Sequence, residues 1–324
     1  MRRRDILLAA GAALALVSMG ALPRTDRVHR VILIGTLTSE RDAYVAAFLE
    51  GMRTLGYIEG RNLVFQELDS KRDASDLAAV VDEAVARRPD VIVAFESIAQ
   101  VVRSRTASIP IVLTGALNPV NSGLARSLRE PGLNVTGLTQ VNDQLPAKHL
   151  EILREIIPNL RKVGQLVDPN VSGCRDAEAD SAEAARAMGY AFMPYYVSNQ
   201  ADIERAFAQM AKDPPDALLP CPSPVIFSYR DLLFENAMRL RVPLTSYVPS
   251  NVPHGVLFAY ATNMADLYRR SAGFVDKILR GANPGELPIE QPTNFQFVVN
   301  LETAKALGLT VPPTLLLRAN RVIE

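Results

Sequence analysis

The sequence lacks the motifs that identify the common classes of enzyme. Its 324 residues contain no G-x-S-x-G elbow, no H-E-x-x-H pair, no Walker loop and no G-x-G-x-x-G after a predicted strand. The three histidines, His29, His149 and His254, have no motif partner, and we expect His29 and His149 to lie on the surface. The sequence therefore predicts no enzyme of a recognisable class, no cofactor and no metal site.

The chain also lacks an excess of charge of either sign. It carries 35 basic and 35 acidic residues, and no basic stripe follows the first few residues, which weighs against nucleic acid as a partner. Tryptophan is absent, and no low-complexity linker is present. The length is that of about two average domains, and an apolar content of 48% lets each domain bury a core.

A hydrophobic run long enough to cross a membrane is missing as well. The apolar stretch from Ile6 to Val17 has about 12 residues, whereas a bilayer span needs about 20. Arginines precede it and small residues follow it, which is the pattern of a secretory signal over residues 1–24. Both the Sec and the twin-arginine route fit, since Arg3 and Arg4 stand before the run. No cysteine lies nearby, so we expect a periplasmic protein without a lipid anchor.

What the chain does contain is a pattern that occurs twice. Arg88-Pro89-Asp90 precedes one short apolar run, and Pro214-Pro215-Asp216 precedes another. In both copies an apolar-Gly-Tyr triplet comes earlier, and an apolar residue, a proline and a second apolar residue come later. Further upstream, the apolar run at 31–35 matches the one at 162–167. Because four landmarks recur in the same order, the sequence predicts two lobes of one architecture.

Strand and helix patterns alternate in both halves. We predict strands at 31–35, 62–68, 91–95 and 111–113, and again at 162–167, 191–197, 216–219 and 243–246. Strands separated by helices form parallel sheets, so the fold class is α/β, with two Rossmann-like lobes joined by a hinge. We place the crossings near Gln140, Thr262 and Gly285. Lobe 1 is then 25–140 with 263–284, including a returning helix, and lobe 2 is 141–262 with 285–324.

Cys174 and Cys221 are the two cysteines of the chain. In an oxidising compartment a pair of cysteines favours a disulfide. The predicted strands before them are neighbours in a doubly wound sheet of order 2-1-3-4-5. The alternative is two unrelated thiols, because Cys174 lies seven residues beyond Val167.

Open α/β sheets bind ligands beyond the carboxyl ends of their strands. The predicted ligand-binding residues at these ends are Thr36, Thr38, Glu96, Ser97, Thr114, Asn118, Asp168, Asn170, Ser223, Tyr247 and Tyr260. Several of the polar residues equally suit helix N-caps, and the tyrosines either stack on a ligand or pack at the hinge. Glu96 and Asp168 are either an acid/base pair or acceptors for a ligand amine or hydroxyl. No strand end carries a basic cluster, which disfavours phosphate.

Several longer segments carry a family resemblance. They are GMRTLGYIEGRN at 51–62, RPDVIV at 88–93, PGLNVTG at 131–137, DLYRR at 266–270, and QPTNF at 291–295 continuing to NLETAKALGLTVPP at 300–313. With these segments the chain resembles the substrate-binding components of bacterial ABC uptake systems, in the tryptophan/tyrosine-type family. The resemblance implies a type I periplasmic fold that closes on a small molecule and docks on an inner-membrane permease, and we expect a monomer.

The chain departs from the family pattern at pocket positions. These are Glu96-Ser97, Leu117-Asn118-Pro119 and Ala259-Tyr260-Ala261, so a particular ligand such as tryptophan is not implied. The expected function is an extracytoplasmic solute-binding component that closes around an amino acid or similar metabolite. An exported bilobed α/β enzyme or a sensor domain is the alternative. A sugar-operon repressor would need a helix-turn-helix where the export signal stands.

Overall fold

The structure, a computed structural model, describes residues 27–36, 41–70, 74–140 and 144–324. The predicted signal segment and Thr38 lie outside these residues. The elements of the first lobe are β1 (His29–Thr36), α1 (Arg41–Thr54), β2 (Leu63–Ser70), α2 (Ala74–Ala86), β3 (Val91–Ala94), α3 (Glu96–Arg105), β4 (Ile111–Leu113) and β5 (Val135–Gly137).

The strands of the first lobe form one parallel sheet in the order β2-β1-β3-β4-β5. This is the doubly wound order 2-1-3-4-5, and β5 is a strand that the sequence analysis does not predict. All residues of β3 and β4 are buried, because helices cover both faces of the sheet. This arrangement explains why the strands are continuous apolar runs rather than alternating ones.

The second lobe repeats the pattern. Its elements up to the next crossing are α4 (Leu145–Ile156), β6 (Lys162–Val167), α5 (Ser172–Ala187), β7 (Ala191–Tyr196), α6 (Gln200–Met210), β8 (Ala217–Pro220), α7 (Pro224–Ser228), α8 (Arg230–Arg239), β9 (Thr245–Ser246) and β10 (Phe258–Thr262), with a 3-10 turn at Pro249–His254. Strands β7, β6 and β8 pair in that order, and a parallel bridge from Leu218 to Leu244 leads on to β9 and β10.

After β10 the chain contributes one helix to the first lobe and then further strands and helices to the second. The remaining elements are α9 (Met264–Leu279), a 3-10 turn at Pro284–Glu286, β11 (Phe295–Asn300), α10 (Leu301–Leu307), α11 (Pro313–Leu316) and β12 (Arg321–Ile323). Strand β11 runs antiparallel to β10, and β12 runs parallel to β11 at the edge. Among the described residues no helix has the length and apolar character that a membrane crossing requires.

The repeated Pro-Asp motif starts a strand pair in each lobe. The Asp90 carboxylate accepts a hydrogen bond from the Arg30 amide at 2.8 Å. In the second lobe the Asp216 carboxylate accepts from the amides of Arg161 and Lys162, both at 2.8 Å. Each aspartate thus satisfies backbone donors where the central strand of its sheet begins, which fixes the alignment of that strand with its neighbour.

Helix α9 returns to the first lobe and packs closely on α1. A Cβ added at Gly51 of α1 would lie 2.6 Å from the Arg269 carbonyl oxygen and 2.8 Å from the Ala272 Cβ. The rings of Tyr44 and Tyr268 stack at 5.3 Å across the same interface. Gly51 therefore permits the close approach of the two helices.

Gly285, where one of the three crossings is predicted, bonds to the first lobe. The Gly132 amide donates to the Gly285 carbonyl, and the Glu290 amide donates to the Gly137 carbonyl. Residues 285–290 therefore lie beside β5. The other two crossings touch, because the Thr262 hydroxyl donates to the Gln140 carbonyl at 2.5 Å.

Candidate functional site

A cavity of about 240 Å³ lies between the two lobes. Its lining residues follow the carboxyl ends of strands in both sheets: Leu117 follows β4, Thr139 follows β5, Cys221 follows β8 and Tyr247 follows β9. Helices α4 and α5 of the second lobe complete the wall. This is the edge at which open α/β sheets bind ligands.

Two buried hydroxyls face this cavity from opposite lobes. Thr139 is 3% exposed and Tyr247 is 8% exposed, and both line the cavity. Neither hydroxyl has a hydrogen-bond partner within the described chain. Burial, followed by the nearby charge of Asp180, raises the pKa of Tyr247, so its phenol is protonated at neutral pH and can donate. Because buried polar groups are nearly always paired, these two hydroxyls are suited to a polar ligand.

Two carboxylates give the cavity its charge. Asp176 and Asp180 lie one turn apart on α5, and both line the cavity. Within the described part of the chain, no lysine, arginine or histidine belongs to the lining. The remaining wall is largely apolar, with Leu117, Val120 and Leu128 among its members. A cavity whose charged lining residues are both acidic favours a small solute that carries a positive charge.

The ring of His149 packs against the ring of Tyr247. The side chain is 0% exposed, and its ring lies 4.3 Å from that of Tyr247. Its Nε2 is 2.7 Å from the Tyr260 carbonyl oxygen, which can only accept, so Nε2 carries the proton. Nδ1 then accepts from the Thr245 hydroxyl at 3.2 Å. The expected surface position of His149 is therefore wrong, because these two bonds satisfy a polar ring inside the lobe.

The other histidine expected at the surface is also buried. His29 is 8% exposed, and its ring meets that of Tyr57 edge-on at 5.8 Å. Burial lowers the pKa of His29, and the charge of Asp90 partly opposes this effect. His29 lies at the start of the central strand β1, where the loop that contains Tyr57 covers its ring. The expected surface position of His29, which was based on its nearness to the predicted signal, is therefore wrong.

Of the predicted ligand-binding residues, Asn118 and Tyr247 line the cavity. Glu96 and Asp168 do not belong to its lining. The Glu96 carboxylate accepts from the Leu117 amide at 2.6 Å, and the Asp168 carboxylate, only 2% exposed, accepts from the Asn170 amide at 3.0 Å. Both acids therefore hold the loops that follow the strands.

Ser97, Asn170, Ser223 and Tyr260 do not belong to the lining of the cavity. Ser223 is the N-cap of α7 and accepts from the Ile226 amide at 3.2 Å. Ser97 is exposed on α3 and does not cap it, and the Asn170 side chain donates to Ser198 at 3.2 Å. Tyr260 stacks on Phe295 at 5.5 Å.

Two of the predicted threonines end strands of the first lobe. Thr114 follows β4 and is fully buried. Thr36 is the last residue of β1. Thr139, Asp176 and Asp180 line the cavity but were not predicted, because none of them follows a predicted strand directly. The four-residue spacing of the two acids on an alanine-rich helix was the available signal.

The structure contains the disulfide between Cys174 and Cys221, with the Cα atoms 5.6 Å apart. Strands β6 and β8 are direct neighbours, with Leu166 opposite Pro220, as the disulfide prediction required. Cys221 lines the cavity, and Cys174 lies in the first turn of α5. The bond therefore ties that turn to the end of β8.

Comparison with known proteins agrees with this architecture. A Vibrio cholerae conserved domain protein has a TM-score of 0.80 and 25% identity, covering 91% of this chain and 99% of that one. A Streptococcus pneumonia ABC domain in complex with L-Trp has a TM-score of 0.81 and 22% identity, covering 92% and 100%. The tyrosine-binding protein of Clostridioides difficile (strain R20291) is 22% identical over 264 residues, which are 81% of this chain and 75% of that protein.

The family model described as ABC transporter substrate binding protein matches residues 37–323. Proteins of this kind are extracytoplasmic, bind a small molecule and serve a membrane permease. The two α/β lobes, the crossings between them and the cavity at the strand ends are the features of a type I periplasmic binding protein. The chain therefore belongs to the ABC transporter substrate-binding protein family and is a solute-binding component of such a transporter.

Proposed function

We propose that the cavity binds a small solute with a positively charged amine, an amino acid or a similar metabolite. The observation that carries this proposal is the set of polar groups in one cavity: the unpartnered hydroxyls of Thr139 and Tyr247, with the carboxylates of Asp176 and Asp180. Both acids give the cavity negative charge, Asp180 meets the amine, and the hydroxyls bind the polar groups of the solute from both lobes.

The size of the cavity supports the same class of ligand. Its volume of about 240 Å³ is below the range of roughly 300–1,000 Å³ that is usual for drug-sized ligands. A solute that touches Thr139 of one lobe and Tyr247 of the other stabilises the closed arrangement, because both contacts exist together only when the lobes are closed. The closed protein then delivers the solute to the inner-membrane permease.

We further propose that the protein acts by binding rather than by catalysis, as a periplasmic monomer. The roles of Glu96 and Asp168 support this, since each carboxylate accepts a backbone amide instead of facing its counterpart across the cleft. In this proposal the moving bodies are 27–140 with 263–290, and 144–262 with 291–324.

The test is a thermal-shift screen of the common L-amino acids and simple amines, followed by titration calorimetry of each compound that stabilises the protein. Asp180→Asn and Tyr247→Phe should weaken binding by about 1.5–3 and about 1 kcal/mol, the usual values for hydrogen bonds to charged and neutral groups. Ser97→Ala is the matched control, because Ser97 is exposed and outside the cavity. Unchanged affinity in both cavity variants would refute the proposed site.

A further inference from the structure

The lobes meet each other directly beside the cavity. The segment after β4, residues 117–121, lies against the first turn of α5. A Cβ added at Gly173 would lie 2.6 Å from the Leu117 Cβ, which is far inside contact distance. Gly173 has ordinary helical backbone geometry, so only the nearness of the other lobe requires a glycine here.

Hydrogen bonds join the same two segments. The Asp176 carboxylate accepts from the Asn118 side-chain amide at 2.8 Å. It also accepts from the Asn121 side-chain amide, at 3.0 Å to each oxygen. The Asn118 side-chain oxygen accepts from the Asn121 backbone amide at 3.0 Å. This last bond holds the two asparagines as one unit, with both amides directed at a single carboxylate of the opposite lobe.

Each side of the contact is fixed to its own lobe. The Glu96 carboxylate accepts the Leu117 amide at 2.6 Å, which anchors the first-lobe segment to the start of α3. The disulfide from Cys174 to Cys221 anchors the first turn of α5 to the end of β8. Because both segments are anchored, a contact between them stabilises the position of one lobe relative to the other. It does not merely order two mobile loops.

We propose that this contact is a latch, in which Asp176 and Gly173 stabilise the closed arrangement before any solute binds. Asp176 is then a positioning residue that acts through Asn118 and Asn121, whereas Asp180, one turn further along α5, serves the solute. The role of the latch in solute binding rests on the proposed function. The closed arrangement itself forms without a solute. A larger closed fraction raises the apparent affinity in proportion, because only the closed state holds the solute with both lobes.

The experiment is small-angle X-ray scattering of the full mature protein without added solute, after unfolding and refolding to remove bound compounds. Asp176→Ala removes the acceptor of both amides, and Gly173→Ala puts a methyl group against Leu117 without straining the helix. We expect the ratio of closed to open molecules to fall about tenfold in each variant, equivalent to about 1.4 kcal/mol, with a larger radius of gyration.

Glu178→Ala is the matched control. Glu178 lies on the same helix, but it does not line the cavity, and its carboxylate accepts from the Tyr196 hydroxyl of the same lobe at 2.8 Å. The Glu178→Ala variant should have the same radius of gyration as the wild type. If Asp176→Ala and Gly173→Ala also scatter as the wild type does, there is no latch. Since no solute is used, this result would leave the proposed ligand class untouched, and a failed solute screen would leave the latch untouched.

Discussion

Acidification should destabilise this protein through His149. Burial lowers the pKa of His149 to about 4 from an ordinary value of 6.5, and the hydrogen bond to the Tyr260 carbonyl opposes that shift only in part. Between these two pKa values the unfolded chain binds a proton at this position and the folded chain does not. The contribution of the neutral imidazole is therefore fully present above pH 6.5 and is lost as the pH falls toward 4.

The size of the effect follows from the difference in pKa. Each pKa unit corresponds to about 1.4 kcal/mol, so the loss between pH 7 and pH 4 is about 3 kcal/mol. The assay is urea unfolding of the wild type and of His149→Phe at pH 7, 6, 5 and 4. Carboxylates titrate in both proteins, so the quantity of interest is the difference between their two pH dependences.

His149→Phe should be less stable at pH 7, because it leaves the Thr245 hydroxyl and the Tyr260 carbonyl unpaired, but its stability should fall less with acid. His254→Gln, which replaces an exposed histidine, is the matched control variant. If wild type and His149→Phe lose the same free energy between pH 7 and pH 4, the imidazole is not the buried neutral group that the structure shows.

Three further predictions concern stability, each measured by equilibrium urea unfolding. Replacing Cys174 and Cys221 together by alanine opens a bond between residues 47 apart and should cost about 4 kcal/mol in the chain-entropy model; a cost near zero would mean that the thiols are not bonded. Gly51→Ala should cost about 1–3 kcal/mol by overpacking α1 against α9, whereas Gly273→Ala on α9, whose new methyl meets nothing within 4 Å, should stabilise by about 0.5–1 kcal/mol; equal effects would contradict the close packing at Gly51. Asp216→Ala should lower the free energy of unfolding by about 1–3 kcal/mol, because two backbone amides lose their acceptor. An unchanged midpoint of urea unfolding would show that Asp216 does not stabilise the start of β6.

The fold could be predicted where local sequence alone determines the structure. Buried parallel strands are continuous apolar runs, so β4 and β6 were predicted with the bounds that the structure has. The repeated Pro-Asp motif marked equivalent points of the two lobes, and its carboxylates bind equivalent backbone amides. The neighbouring strands before Cys174 and Cys221 followed from the doubly wound order, which made the disulfide predictable as one of two alternatives.

Features that depend on distant contacts were not predictable. Strands β11 and β12 are the last of the second sheet, and β11 runs antiparallel to β10, so no repeat of the first lobe indicates them. Residues 285–290 pair with β5 only because the chain returns to the first lobe through α9. His149 is buried because Thr245 and Tyr260, about a hundred residues later, supply its hydrogen bonds.

The sequence indicated the kinds of side chain in the candidate site, namely hydroxyls, amides and carboxylates, better than it indicated which residues supply them. The strand-end rule led to Asn118 and Tyr247, which do line the cavity. It also led to Glu96 and Asp168, whose carboxylates bind backbone amides in the structure. The acids that line the cavity lie along α5, and their orientation toward the cleft depends on how that helix packs over β6, which the sequence of the helix does not reveal.

Comparing an amine-bearing solute with its deaminated analogue shows directly whether the cavity recognises a positive charge. The solute is the best compound from the thermal-shift screen, and the analogue carries hydrogen in place of the amine. Calorimetric titration of wild type and Asp180→Asn with both compounds should show that loss of the amine weakens binding to the wild type strongly, and to the variant much less. If the analogue binds the wild type as tightly as the amine does, the acidic cavity does not recognise a cationic solute, and the account of the site is wrong.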